Sequence, residues 1–540
     1  MIYTAITIGP IFKTIMEAKK TRAVWAASYY FSWFARRVLE EALDANMQVF
    51  LPDTSGVIKD ENGKHHGIKG YYGAGLYADR LYFINDKNTN KEKLWGIVQD
   101  LYTEIASQLN IQKSFIKDYM NVHIIEKTIT NADLVNDFPL AILNDALDNS
   151  ELHQNFNFKF NTNPLQVLFN SKTNQGNFLA VDAFEANNQR IFKSVGEIAT
   201  ASFSRDVEYK KKYHDAVIRD LKSEGEVDLI EELKIAKIPI LPVHKYFAII
   251  YADGDNIGTL LKKVNEKNKD VKDFSNSIFD FGLAAEKTIA DYGGSGIYLG
   301  GEDVLAFAPI VCLNESDSSK QSTVFDLIQK LDEDFEKTVK KYAEKERLPI
   351  PTLSFGLMIA YYKHPLKEIM SGAYECLEDV KKSSPKNGIK VLFQKHSGHR
   401  FECLIDKNAI NSAQQAYKII HDYCQTPVQL AANTKNTNNQ VSASNRTDEI
   451  LSSIIQKFRD DVFIKLFAEA AKKGKLTNLF ENSFNEKIHT KPNNLKAVFL
   501  KRVKEFAETI YAEYDDKNLA IKSIFALLRF IHFVNSKKDN

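Results

Sequence analysis

The sequence predicts an α+β protein: two ferredoxin-like units, a helical insert and a C-terminal helical domain. Three observations predict it. Residues 244–394 run strand, helix, two short strands, helix, strand, then one more helix and strand, the β-α-β-β-α-β order with an extension. Residues 1–90 alternate strand, long helix and strands, which makes a mixed first unit. The remaining stretches carry apolar residues at helical spacing. The expected divisions are 1–90 for the first unit, completed by later segments, 91–235 for a mainly helical middle region, 236–396 for the second unit, and 397–540 for the helical domain.

The first unit opens with the strand "YTAITI" and Gly9-Pro10, then helical sequence through "IFKTIMEAKKTRAVWAASYYFSWFARRVLEEAL", broken near Thr21. "MQVFLP" and "DRLYFI" read as strands. In the second unit "HKYFAIIYADGD" is a strand ending in acids, and "DFSNSIFDFGLAAEKTIADYGG" is an amphipathic helix stopped by Gly293-Gly294. "GIYLGGEDVLAFAP" is a hairpin, "PTLSFGLMIAYY" and "GIKVLF" are strands, and "PLKEIMSGAYECLEDVKK" is a helix. Beyond Ser397 the pattern turns helical, interrupted by a polar segment, 431–447, expected to be a mobile loop.

Composition narrows the class. The chain has 540 residues, 44% apolar and 26% charged, with 71 basic against 70 acidic side chains, which excludes a generally basic nucleic-acid coat. The four cysteines form no C-x-x-C pair, so neither a disulfide framework nor a zinc site is expected. No apolar run approaches about 18 residues. A signal-peptide pattern is absent too, and a cytoplasmic protein without membrane association is expected.

The chemistry-bearing residues sit at two strand ends. Asp253 ends the first strand of the second unit, and Glu302 and Asp303 follow Gly300 and Gly301 at the hairpin turn. Alone, GGED reads as turn polarity and DGDN as a strand exit. In the ferredoxin-like order the two meet, and three converging carboxylates repel one another unless divalent cations hold them. Hard oxygen ligands suit Mg²⁺ or Mn²⁺, and two such ions suit transfer chemistry on a nucleoside triphosphate. Asp255, two residues on and on the same strand face, is a further ligand candidate. Gly300 and Gly301 permit positive φ and close approach of a nucleotide, while Gly254, Asn256 and Gly258 open a loop whose N–H groups can face phosphates.

"YADGDNIG", "GGEDVLAFAP", "LSFGLMIA" and "AYECLEDVKKSSPKNG" resemble the palm of nucleotidyl cyclases and polymerases, in the order of diguanylate cyclases. "TIGPIFKTIMEAKKTRAVWAASYYFSWFARRVLE" resembles the first palm of the large Cmr-type subunit of type III-B CRISPR effector complexes, the Cas ten family. The resemblance covers 1–90 and 244–395 and is architectural elsewhere. It implies two palms, the first helping to hold nucleotide and the second carrying Asp253, Glu302 and Asp303 as metal-binding catalytic acids. It implies Lys381 as the triphosphate lysine, with Lys382 and Lys386 as alternatives, and places Ser28 with Lys19, Lys20 and Arg22 in the first palm's signature segment, where a helix cap and a solvated face compete as readings.

The implied activity is target-RNA-activated synthesis of cyclic oligoadenylate from ATP, and the implied partners are guide RNA, target RNA and the other effector subunits. A divergent acceptor such as S-adenosylmethionine, a catalytically silent RNA-binding scaffold and a free-standing diguanylate cyclase are the competing readings. Three departures stand out. Glu302 replaces the commoner aspartate of a GGDD hairpin, the chain starts at the first palm without the HD nuclease domain, so no DNA cleavage is expected, and the zinc module's cysteine pairs are missing. The pairs His214-Asp215 and His421-Asp422 lack the partner histidines of a metal nuclease.

Overall fold

A computed structural model describes residues 1–54, 58–59, 64–66, 74–85, 90–130, 133–135, 138–152, 192–222, 228–266, 270–383, 385–425, 450–484 and 495–537. The expected loop at 431–447 lies outside the described residues.

The first unit is a four-stranded antiparallel sheet in the order β2-β3-β1-β4: β1 (Ile2–Gly9), β2 (Gln48–Leu51), β3 (Arg80–Asn85) and β4 (Asn121–Thr128). Two helices follow β1, α1 (Ile11–Glu17) and α2 (Thr21–Asp44), with the chain break at Ala18–Lys20 where the sequence suggested one. The apolar stripe of α2, including Trp25, Tyr30, Phe34 and Val38, is buried. Strand β4 lies within the stretch expected to be mainly helical and pairs along all of β1, from Ile2 opposite Thr128 to Gly9 opposite Asn121. It closes the first sheet, and helix α3 (Pro139–Glu151) packs on it.

The second unit is a six-stranded sheet. Its strands are β5 (Tyr246–Asp255), β6 (Ser295–Tyr298), β7 (Val304–Pro309), β8 (Thr352–Tyr361), β9 (Gly388–Gln394) and β10 (Arg400–Asp406), in the order β10-β9-β8-β5-β7-β6. Strands β5 and β8, in the middle, are covered on both faces, which is why they read as unbroken apolar runs. Phe247, Phe281, Phe307, Phe335 and Phe355 are fully buried there, each worth about 1.5–3 kcal/mol on burial. The helices are α4 (Ile257–Glu266), α5 (Val271–Tyr292), α6 (Val324–Phe335) and α7 (Leu366–Lys382). Gly293 ends α5 in the left-handed region, at φ 101°.

Strand β10 corrects the expectation that the chain turns helical after Ser397: it adds an antiparallel edge to β9. Helices α8 (Ile410–Cys424), α9 (Leu495–Glu513) and α10 (Lys517–Asn535) pack behind it. Helix α10 is long and apolar enough to cross a membrane by length and composition alone. It is docked on β10, where Ser523 Oγ accepts from Leu404 N at 3.1 Å and donates to Leu404 O at 3.1 Å, with Ile524, Leu527, Leu528 and Ile531 buried. Those contacts make it a core helix of this fold.

Candidate active site

The two motifs meet through strand register. Strand β5 pairs antiparallel with β7, and Ala252 lies opposite Val304, so Asp253 and Asp303 are the next residues on adjacent strands. An added Cβ on Gly254 would meet Glu302 Cβ at 3.0 Å and Ile257 Cγ1 at 2.7 Å, so the hairpin tip rests on the glycine between the two aspartates. Of the hairpin glycines, Gly301 has positive φ (70°), whereas Gly300 is required because a Cβ would strike the ring of Tyr298. The hairpin is held from outside: Ser28 donates to Ile297 O at 2.6 Å, and Gly75 exchanges backbone hydrogen bonds with Ile297 and Leu299.

Asp255 is fully buried. Its Oδ2 accepts from Thr352 and Ser354, both at 2.7 Å, and its Oδ1 lies 3.0 Å from Lys381 Nζ. Its Oδ2 is therefore committed to protein donors, whereas the buried Oδ1 has Lys381 as a charge partner but no formed hydrogen bond. Strand alternation puts Asp255 on the face of Asp253, where Lys381 meets both, and its other partners come from β8. Lys381, 13% exposed at the end of α7, also lies 3.0 Å from Asp253 Oδ2 and donates to Gly254 O at 2.8 Å. Lys382 points to solvent, 72% exposed and 3.8 Å from Glu378. The charge of Lys386 reaches Asp253. Helix α7 reaches this position because Gly356 of β8 lets its backbone come down: a Cβ there would lie 2.3 Å from Ala373 O and Leu377 N.

The three expected ligands are crowded carboxyl groups with Lys381 as their neighbouring cation. Burial pushes up the carboxyl of Asp253, which Lys381 partly offsets. Burial also raises Glu302, with Asp253 adding to it. Asp303 is pushed well above the usual carboxylate range by burial, then by Glu302 and Asp253, although it opens to solvent at the site's mouth. Hard oxygen donors under mutual repulsion fit a divalent cation. Among the described residues, no three His, Cys, Asp or Glu side chains close into a ready cage, and the cation in contact with Asp253 is Lys381.

A cavity of about 640 Å³ runs between the two units. Asp253, Asp303 and Tyr374 line it from the second unit; Gly9, Phe12, Lys13, Asp79 and Glu151 line it from the first. Of the residues singled out in the sequence, Asp253 and Asp303 are on its wall. Glu302, Asp255, Gly254, Asn256, Gly258, Gly300, Gly301, Lys381 and Lys382 are not, and neither is Ser28. Ser28 lies inside α2, not at its cap, with its hydroxyl spent on Ile297. Asn256 does take a positive φ of 62°, but Gly254 is within β5 and Gly258 within the first turn of α4, so the expected glycine loop is a single residue.

Asp79 is the functional candidate the sequence reading missed. Burial raises its carboxyl, and its charge acts on Asp303 across the cavity. The triplet Tyr77-Ala78-Asp79, which repeats Tyr251-Ala252-Asp253, is the signal that points to it.

Two family models match this chain: "CRISPR-associated protein Cmr2, N-terminal" over residues 3–155, and "Cas10/Cmr2, second palm domain" over residues 246–390. Together they take in more than half of it. The chain belongs to the Cas10/Cmr2 family. The six-stranded unit is thus the second palm of that family. A curated relative, the CRISPR system Cmr subunit Cmr2 of Pyrococcus furiosus, is 23% identical over 231 residues, 37% of this chain and 25% of the relative, so the match spans about a quarter of that protein's length. Among solved structures, the type III-B Cmr-beta complex is similar in its apo state (TM-score 0.47, 11% identity, 75% of this chain and 70% of the other). The same complex bound to cognate target RNA is similar too (0.48, 11%, 74% and 71%). So is the Csm1–Csm4 cassette in complex with cA4 (0.45, 13%, 94% and 70%).

Proposed function

We propose that this chain is a metal-dependent nucleotidyltransferase of a type III CRISPR effector complex, using ATP as donor. One observation carries the reading: Asp253 and Asp303, on adjacent strands of a family palm, share a nucleotide-sized cavity with the Gly9–Lys13 segment of the first unit. The 3′-hydroxyl oxygen of an acceptor ribose attacks the α-phosphorus of ATP, the α–β phosphoanhydride bond breaks, pyrophosphate leaves, and the hydroxyl proton passes to solvent. Asp253, Glu302 and Asp303 would hold two Mg²⁺ or Mn²⁺ ions, whose chemistry is to polarise the α-phosphate and offset the leaving group's charge. The remaining work is positioning. Lys381 turns from Asp253 to the triphosphate while Asp255 stays as its anchor, and Glu302 fits where a shorter acid is commoner because its Cβ is seated on Gly254.

With a second ATP as acceptor, the product is an oligoadenylate that closes into a ring, made on recognition of target RNA by guide RNA in company with the other effector subunits. A second reading is favoured by the first unit's wall. Asp79 and Glu151 place two carboxyl groups on it, although Arg80 pairs with Glu151 at 3.1 Å. An adenosine-bearing acceptor with positive charge, such as S-adenosylmethionine, meets that wall better than a second triphosphate does and would give an AMP conjugate. The assembled complex, incubated with target RNA, Mg²⁺ or Mn²⁺, ATP and S-adenosylmethionine, is expected to yield one of these products by mass spectrometry. An Asp253→Ala plus Asp303→Ala variant is expected to yield none. Equal product from that variant, or no product from wild type, would leave an RNA-binding scaffold as the function.

A further inference from the structure

We infer, building on the nucleotidyl-transfer reading, that Lys407 is a positioning residue for Lys381, through which the C-terminal helices hold the triphosphate end of the site. Lys407 follows β10 and precedes α8, at the opposite edge of the sheet from the acidic hairpin. Its side chain is only 8% exposed. The ammonium donates to Asp332 Oδ1 of α6 at 2.7 Å and to Leu353 O of β8 at 2.6 Å, and it lies 5.1 Å from the centre of the Phe355 ring. Replacing a buried ion pair by apolar residues is often neutral for stability, so the pair with Asp332 does not by itself account for a lysine at this position. The contact with β8 gives the reason.

Strand β8 lacks its β9 neighbour at the end that meets the site. The β8–β9 ladder starts with Phe355 opposite Ile389, so residues 352–354 pair with β5 but not with β9. Those same residues serve the site, because Thr352 and Ser354 donate to Asp255, and Asp255 faces Lys381 at 3.0 Å. Lys407 and Asn387 take the place of the missing strand. The carbonyl of Leu353, between the two donors, is held by the Lys407 ammonium. Ser354 Oγ accepts from Asn387 N at 3.1 Å, and Asn387 O accepts in turn from Lys407 N at 3.0 Å. The side chain and the backbone of one residue therefore steady both donors to Asp255. The charge of Asp255 also acts on Lys407, whose pKa burial lowers and Asp332, then Asp255, help to raise.

Behind this corner stand the C-terminal helices. Tyr514, between α9 and α10, donates to Leu404 O at 2.6 Å and accepts from Asp406 N at 3.1 Å. Glu513, the last residue of α9, accepts from Ser412 N at 2.8 Å and from Ser412 Oγ at 2.7 Å in the first turn of α8. The helices thus grip the chain just before and just after Lys407. A shift of these helices reaches Lys407 first, then Ser354 and Asp255, then the ammonium of Lys381.

Calorimetry of the full-length protein with inorganic tripolyphosphate and with ATP, in the presence of Mn²⁺, tests the role without requiring turnover. Lys407→Met alone leaves Asp332 without its cation, so the double variant Lys407→Met plus Asp332→Leu, which removes both charges, is measured beside it, with thermal melting as the check on folding. The double variant is expected to melt near wild type yet to bind both ligands about tenfold more weakly, within the range for residues that act through others. In a Lys381→Met background the same two substitutions are expected to cause no further loss, because the residue they act through is gone. A merely structural role would add its loss in either background. Wild-type affinity in the double variant, or equal fractional losses in the two backgrounds, overturns the positioning role. If wild type binds ATP in either case, the transfer reading stands without it. Wild type that binds neither ligand overturns both.

Discussion

Lys381 is the side chain on which the site's electrostatics turn. Its ammonium touches two aspartates and a carbonyl while mostly buried, so removing it leaves Asp253 and Asp255 facing each other uncompensated. Lys381→Met is expected to cost about 3 kcal/mol in urea unfolding, the usual order for breaking one side of a buried pair. Thr352→Val, which removes one of the two hydroxyl donors to Asp255, is expected to cost about 1 kcal/mol. His244 gives the pH dependence. It is buried beside Phe203, its Nδ1 accepts from Leu241 N, and burial pushes its pKa down to about 3. A depressed folded pKa means stability that is present above the unfolded value, about 6.5, and is lost as pH falls below it. About 2 kcal/mol should be gone by pH 5. His244→Asn keeps an acceptor without that titration, so its melting temperature is expected to change less than wild type's between pH 7 and pH 5.

Asp253, Glu302 and Asp303 were legible because each motif is local and the strand order says where its ends go. Ser28 and Asp255 were legible as positions but not as partners, because a side chain's hydrogen bonds are decided by whatever packs against it. The long segments behaved similarly. β5, β7, β8 and α5 follow their apolar patterns and their glycine stop. "NVHIIEKT" and "RFECLID" were passed over as strands because each sits at a sheet edge beside polar, charged sequence. Helix α7 depends on Gly356, where the atoms an added methyl would meet belong to backbone and cannot yield. Gly356→Ala is expected to destabilise the protein by about 2–3 kcal/mol in chemical unfolding, the cost of overpacking. It is also expected to weaken ATP binding, because Lys381 rides on the same helix.

The cavity exists because two units are joined at the hairpin. Gly75 lies against Ser28, and an added Cβ would sit 2.5 Å from the Ser28 hydroxyl that holds Ile297. Gly75→Ala is therefore expected to lower stability by more than the loss of one hydrogen bond, about 1 kcal/mol. Ser28→Ala in the same chain is expected to restore part of it, a non-additive cycle read by thermal melting. Additive losses would mean that the two residues do not act through one contact. The sequence by itself determined the second palm, its acidic strand ends and the helices that cover it, because periodicity and glycine placement act over a few residues. Only the tertiary structure decided what those acids face. Asp79 lies more than 170 residues from Asp253, Phe12 more than 360 from Tyr374, and Gly356 seats a helix that carries Lys381, 25 residues later. Such meetings arise from sheet order and close packing, which no short stretch of chain encodes.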